Sequence, residues 1–193
     1  MLRSGLTRVL PIHIKRIRTV LVSVALLGGM YAHADGQLSS SAIASSGIEA
    51  GLPLADSVVV RKGARKLELL RNGQVLRSYK VALGLRPEGH KQFEGDYRTP
   101  EGKYLLTRRN PNSDYFLSIQ VSYPNDQDME RARKQGQRPG GAIMIHGQPN
   151  TPRKPRDYYS NVDWTEGCIA VSNSDMVEIW LMTSPDTPIE IQP

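Results

Sequence analysis

The chain contains a single cysteine, Cys168, in 193 residues. A thiol without a second cysteine cannot close an intramolecular disulfide. It is either an inert buried group or a free thiol able to act as a nucleophile. Composition alone favours the inert thiol; the local sequence, Thr165-Glu166-Gly167-Cys168-Ile169, favours the nucleophile. Gly167 lets a ligand or the chain approach beside the sulfur, and backbone N–H groups at such a turn can point at a developing oxyanion. The reactive form of cysteine is the thiolate, and a neighbouring histidine both lowers the thiol pKa and accepts its proton. His146 is the candidate base. It follows the apolar run Ala142-Ile143-Met144-Ile145 and precedes Gly147, which lets the backbone turn without a Cβ clash. It therefore stands at a strand end, where a rigid sheet presents side chains to a surface cleft. Taken singly, such a histidine is more often an ordinary surface or hydrogen-bonded residue. A zinc site has no support, because one cysteine with His90 and His146 lacks ligand spacing.

The elements that must position this pair are short and rich in turns. There are 17 Gly and 13 Pro but only 2 Phe and 2 Trp, a mix that favours short strands over long helices. Val58-Val59-Val60 reads as a strand, Leu67 to Leu70 as a second and Val75 to Leu83 as a third. Between the last two lies Asn72-Gly73, a hairpin signal. A loop rich in Gly and Pro follows from Gly84 to Gly102, then two strands, Lys103 to Thr107 and Leu117 to Val121. Asp128 to Gln135 reads as a short helix stopped by Gly136, Ala142 to Ile145 as a strand, and Gln148 to Thr165 as a long loop. Ser174 to Met182 reads as a helix with Ser172, Asn173 or Ser174 as N-cap, and Ile189 to Ile191 as a last strand. The expectation is one mainly β domain over residues 57–193 with one or two short helices, without repeats.

The formal charge of +6 overstates how basic that domain is. Five of the 25 basic residues (Arg3, Arg8, Lys15, Arg16 and Arg18) and none of the 19 acids lie in the first 34 residues. The remainder is near neutral, so a basic nucleic-acid-binding face has little support. The same 34 residues read as a signal peptide. A basic segment ends at Arg18, an apolar run spans Thr19 to Met30, and Ala32-His33-Ala34 is a small-x-small cleavage pattern. That run is shorter than the roughly 20 residues needed to cross a bilayer. Cleavage after Ala34 would make Asp35 the first mature residue. Residues 35–56, rich in Ser, Ala and Gly, read as a flexible spacer.

Two motifs in order resemble a known family. Ile145-His146-Gly147, then Thr165-x-Gly167-Cys168 about twenty residues later, looks like the active-site signature of the L,D-transpeptidase (YkuD) family. Upstream, Thr99-Pro100-Glu101-Gly102-Lys103-Tyr104 resembles the family's Thr-Pro-x-Gly-x-aromatic segment. Asp163 to Ala170 is similar to a Gram-negative branch with Asp-Trp-Thr-x-Gly-Cys-Ile-Ala. The resemblance implies a β-sandwich-like catalytic domain in the periplasm that acts on peptidoglycan stem peptides. Cys168 would attack the carbonyl at stem position three, release D-Ala and hold the acyl group as a thioester. His146 would take the thiol proton and pass it to the leaving amine. A second stem's amine would then give a 3→3 cross-link, or an envelope protein would serve as acceptor. No cofactor or metal is implied, nor a nucleic-acid partner or a membrane anchor after cleavage; the expected state is a monomer.

Gly147, Thr165 and Gly167 are the candidate oxyanion and supporting residues. Two positions depart from the common pattern: Glu166 where many members have His, and Ala170 where many have Arg. The missing arginine leaves Arg153 or Arg156 as candidates to hold a substrate carboxylate. Trp164 reads as a packing anchor or a cleft wall, Trp180 as core and His90 as a solvent-exposed loop residue. Asp163 and Glu166, if close to Cys168, would raise its pKa and call for a cationic partner such as His146. Rival readings are a peptidase or amidase of the same fold that uses water, a catalytically idle wall-binding module, and a redox thiol. The last would want a resolving cysteine.

Overall fold

The computed structural model describes residues 51–193; the signal peptide and most of the spacer expected from the sequence lie outside them. The chain forms β1 (Ser57–Arg61), β2 (Lys66–Arg71), β3 (Gln74–Lys80), β4 (Gly102–Ser113) and β5 (Phe116–Val121). There follow α1 (Asp126–Lys134), β6 (Met144–His146), α2 (Arg156–Asn161), β7 (Ile169–Ala170), α3 (Asn173–Met182) and β8 (Pro188–Gln192). The mainly β expectation holds. The strand order is β3-β2-β1-β8-β4-β5-β6-β7, with parallel pairing only at β1–β8 and β6–β7.

Local chemistry explains the individual turns. Asn72 and Gly73 both have positive φ (52° and 75°), the backbone that a two-residue hairpin requires between twisted strands. Alternation in β1 buries Val58 and Val60, and in β8 Ile189 and Ile191, so the C-terminal strand fits into the middle of the sheet beside β1. Asn125 caps α1 in a full capping box with Asp128, and Ser172 caps α3, whose Met176, Ile179 and Met182 are buried. Each such large apolar side chain removed from water contributes roughly 1.5–3 kcal/mol. Trp180 is half-buried against this core, with the Arg109 guanidinium 4.8 Å above its ring.

Three differences from the sequence reading matter for the site. The stretch read as a loop, Gln148 to Thr165, contains α2. Its residues lack an amphipathic stripe, and the element is held by tertiary bonds. Buried Tyr159 accepts through its hydroxyl from the N–H groups of Arg153 and Lys154, and its carbonyl accepts from Trp164 Nε1 (3.1 Å). Secondly, His90 is packed rather than solvent-exposed. Its Nδ1 accepts from Glu101 N–H (2.8 Å), and its Nε2 lies 3.0 Å from Asp128 Oδ1 and against Arg131. Finally, the loop from Gly84 to Glu101 is pinned from within. Buried Lys62 donates to the carbonyls of Gly89 and Thr99 and to Glu101, while Lys91 pairs with Asp96 at 2.7 Å. Among the described residues no helix is long and apolar enough to cross a membrane.

Candidate active site

Cys168 and His146 are brought together by the parallel pair β6–β7. The register sets Ile145 against Ile169 and His146 against Ala170. Extending it one residue places Cys168 opposite Met144. Because side chains alternate with period two, His146 and Cys168 then share a face of the sheet. Both line one cleft of about 460 Å³, with Tyr115, Ser118, Met144 and Trp164 among its walls. Ser118 on β5 pairs directly with His146, a neighbour that nothing in its sequence context marks.

The turn that carries the thiol is over-determined. Thr165 is buried; its Oγ1 donates to Cys168 O (2.8 Å) and accepts from Gly167 N–H (3.1 Å). Gly167 has φ +133°, and a Cβ there would stand 2.7 Å from Arg98 O, so only glycine fits. The turn is also laced to the start of the pinned loop. Thr165 N–H donates to Leu83 O and Leu85 N–H to Thr165 O. Gly84 sits between these bonds, and a Cβ on it would lie 2.2 Å from Tyr97 O. Asp163 fastens the same segment. It receives the Arg65 guanidinium in a fork (2.8–3.2 Å) and Leu83 N–H at 2.8 Å, so its charge is spent on structure.

His146 is buried, and its Nδ1 lies 2.6 Å from Gly147 O. A carbonyl only accepts, so Nδ1 carries the proton and Nε2 is left as the basic nitrogen. The orienting group is thus a backbone carbonyl. Gly147 is required for space, since a Cβ would meet Asn173 Oδ1 at 2.6 Å and Phe116 Cβ at 3.0 Å. The N–H groups of Gly147 and Gly167 are both engaged within the chain, to Leu117 O and Thr165 Oγ1. The N–H of Cys168 itself has no partner among the described residues and is free to meet an oxyanion.

The electrostatics differ from a thiolate–imidazolium pair. Burial pulls the His146 pKa down to about 4, against a smaller opposing effect of the Gly147 carbonyl. Burial chiefly raises the Cys168 thiol, Met144 N–H lowers it, the Glu166 carboxylate raises it further, and the Lys91 ammonium opposes Glu166. The thiol donates to Ala142 O (3.6 Å), and Ala142 holds an unusual positive φ of 53°. Near neutral pH both groups rest uncharged. The site therefore carries no cationic histidine to offset Glu166; it can instead take the thiol proton by general-base catalysis as attack occurs.

The remaining candidates divide. Trp164 is a cleft wall: its ring lies 5.6 Å from His146 and 5.8 Å from Tyr115, and its indole N–H is tied to α2. Arg153 lines a neighbouring groove of about 530 Å³ on the far side of Trp164 and Tyr115; Arg156 is exposed at the start of α2 and lines neither groove. A third groove, of about 270 Å³, reaches Cys168 past Tyr97, Gly140 and Ala142, so two grooves meet at this residue. Tyr97 and Tyr115, both partly exposed aromatics at the rim, are not legible in the sequence as site residues, because tyrosine in a polar loop carries no pattern. Among the described residues no three His, Cys, Asp or Glu side chains converge to hold a metal ion.

Comparison with known proteins identifies the family of the domain. The chain is 34% identical over 109 residues to YafK of Escherichia coli K12, a candidate L,D-transpeptidase; the match covers 55% of this chain and 37% of YafK. It is also similar to the crystal structure of the helical cell shape determining protein Pgp2 from Campylobacter jejuni. That match has a TM-score of 0.54 and 28% identity, covering 69% of this chain and 46% of Pgp2. The matched region thus spans less than half the length of either relative. The family model for the L,D-transpeptidase catalytic domain, YkuD, matches residues 55–191, taking in the pinned loop, His146 and Cys168. On that match the chain belongs to the YkuD family of L,D-transpeptidase catalytic domains.

Proposed function

We propose that this chain is a cysteine acyl-transfer enzyme of the bacterial cell wall, acting on peptidoglycan stem peptides outside the cytoplasm. The observation that carries the reading is the pairing of Cys168 with a neutral His146 in one cleft. Nδ1 of that histidine is committed to Gly147 O, and Nε2 is free to take a proton. Sγ of Cys168 attacks the carbonyl of the residue at stem position three while His146 removes its proton. The tetrahedral oxyanion is met by Cys168 N–H. His146 then protonates the departing amine, D-Ala leaves, and a thioester remains. The domain at residues 57–193 performs this step; the first 34 residues direct export, and residues 35–56 act as spacer.

In the family's named reaction the acyl group passes to an amine, of a second stem or of an envelope protein. Two grooves meeting at Cys168 give room for a donor and an acceptor. A second reading, in which water takes the acyl group and the stem is trimmed, is favoured by one observation, the unpaired Glu166 carboxylate beside the thiol. A cell-shape role like the one Pgp2 is named for fits either outcome. Purified protein incubated with disaccharide-tetrapeptides, with products identified by mass, tests the proposal. Release of D-Ala supports it; an unchanged tetrapeptide, with the protein folded, refutes it.

A further inference from the structure

Glu166 stands where the two approaches to Cys168 meet. It lines both the cleft with His146 and Trp164 and the groove with Tyr97 and Ala142. Other acids nearby are committed: Asp163 to Arg65, Asp96 to Lys91 and Glu94 to Arg138. Asp114, also on the cleft, belongs to the wall shared with the Arg153 groove. Glu166 is exposed and has no hydrogen bond or ion pair with any described residue, yet its charge acts on the thiol. Its backbone is rigid, because Thr165 and Gly167 on either side are bonded to Leu83, Leu85 and each other. A carboxylate free of structural partners thus lines both grooves beside the residue on which a thioester would form.

From this placement we infer that Glu166 is the base that delivers water to the Cys168 thioester, so that the acyl group leaves as a free acid. The inference rests on the acyl-enzyme reading above and concerns only the second half of the reaction. An amine acceptor of the lysine type has a reference pKa of about 10.4. A carboxylate beside such an amine holds it as an ammonium, which has no lone pair with which to attack. Water has no charge to be trapped and needs only a base to receive its proton as it adds. The water oxygen bonds to the thioester carbonyl carbon while its proton passes to Glu166. The tetrahedral oxyanion collapses, the C–S bond breaks, and the sulfur departs as thiolate. Glu166 returns the proton to Sγ, which restores the thiol; the product acid ionises into solvent.

The test uses the full chain as wild type, Glu166→Gln and Glu166→Asp, with a disaccharide-tetrapeptide donor and an excess of a tripeptide acceptor bearing a side-chain amine. Three quantities are read: D-Ala release, the intact mass of the protein, and the ratio of tripeptide acid to amine-linked product. Wild type should give mainly tripeptide acid. Glu166→Gln should release its first equivalent of D-Ala at least as fast, then accumulate the thioester, with hydrolysis slowed by about 10²-fold, a typical loss for a positioned base. Glu166→Asp should recover part of that loss. Mainly amine-linked product from wild type, or hydrolysis by Glu166→Gln at the wild-type rate, overturns the inference while leaving the acyl-enzyme intact. A wild-type protein that neither releases D-Ala nor carries the adduct overturns the acyl-enzyme reading, and this inference with it.

Discussion

Replacing His146 with Asn removes a histidine that folding forces to stay neutral. In the unfolded chain it titrates near 6.5; in the fold, burial brings it to about 4. Below pH 6.5 the unfolded state takes up a proton that the native state refuses, so stability falls as pH drops through the window from 6.5 to 4. Above that window the effect vanishes. Each pH unit inside the window costs about 1.4 kcal/mol, which puts the loss between pH 7 and pH 5 at about 2 kcal/mol. His90 is also held low by burial and by Arg131, and loses stability with the same sign, so the comparison of variant with wild type is what isolates His146. Urea unfolding at several pH values from about 7.5 to about 5 is the assay. Wild type should lose about 2 kcal/mol more than His146→Asn over that range. Equal losses would show that His146 is solvated or charged in the fold, and the neutral-pair mechanism would fail. The same depressed pKa predicts that the acid limb of D-Ala release lies near pH 4 rather than 6.5, because only neutral His146 can act as base.

Gly167→Ala meets Arg98 O at 2.7 Å with φ at +133°, so it should cost ~2–3 kcal/mol in denaturant unfolding; a neutral change would mean that the turn is free to relax. Asp163→Asn breaks the fork to Arg65 and weakens the acceptor for Leu83 N–H. With both side chains partly exposed, a loss of about 1–2 kcal/mol is expected by thermal or urea unfolding, and no loss would mean the pair is ornamental. The family reading implies that a carbapenem, whose strained carbonyl imitates the acyl donor, adds covalently to the thiol. Intact mass should show one adduct on wild type and none on Cys168→Ala.

Seven of the eight strands, the helices α1 and α3 and the Asn72-Gly73 hairpin are legible in the sequence because their signals are local: alternation, turn backbone and caps; β7, two residues defined by pairing with β6, is not. Two motifs in a recognisable order likewise single out His146 and Cys168, which the fold brings into one cleft. What escapes a sequence reading depends on tertiary contact. α2 has no periodicity and exists through Tyr159 and Trp164; the packing of His90 depends on Asp128 and Arg131, distant in sequence. Gly147 and Gly167 look like turn and oxyanion residues from their neighbours in sequence. Their N–H groups are in use, and the crowding that demands glycine comes from Asn173 and Arg98, which only the folded chain brings near. Arg153 and Arg156 stand out by charge in a loop, and charge alone does not say on which side of Trp164 they fall. The depressed pKa of His146 is likewise a consequence of burial rather than of any neighbour in sequence.

The central claim is that the sulfur of Cys168 carries the acyl group, and intact-mass spectrometry of the protein mixed with a disaccharide-tetrapeptide and quenched in acid addresses it directly. Wild type should gain the mass of the substrate less D-Ala, mapped to the peptide containing Cys168, with D-Ala released in step. Cys168→Ala, shown to be folded by circular dichroism, should gain nothing and release nothing. A Cys168→Ala protein that still releases D-Ala, or an adduct mapping to any other residue, would contradict the account at its centre.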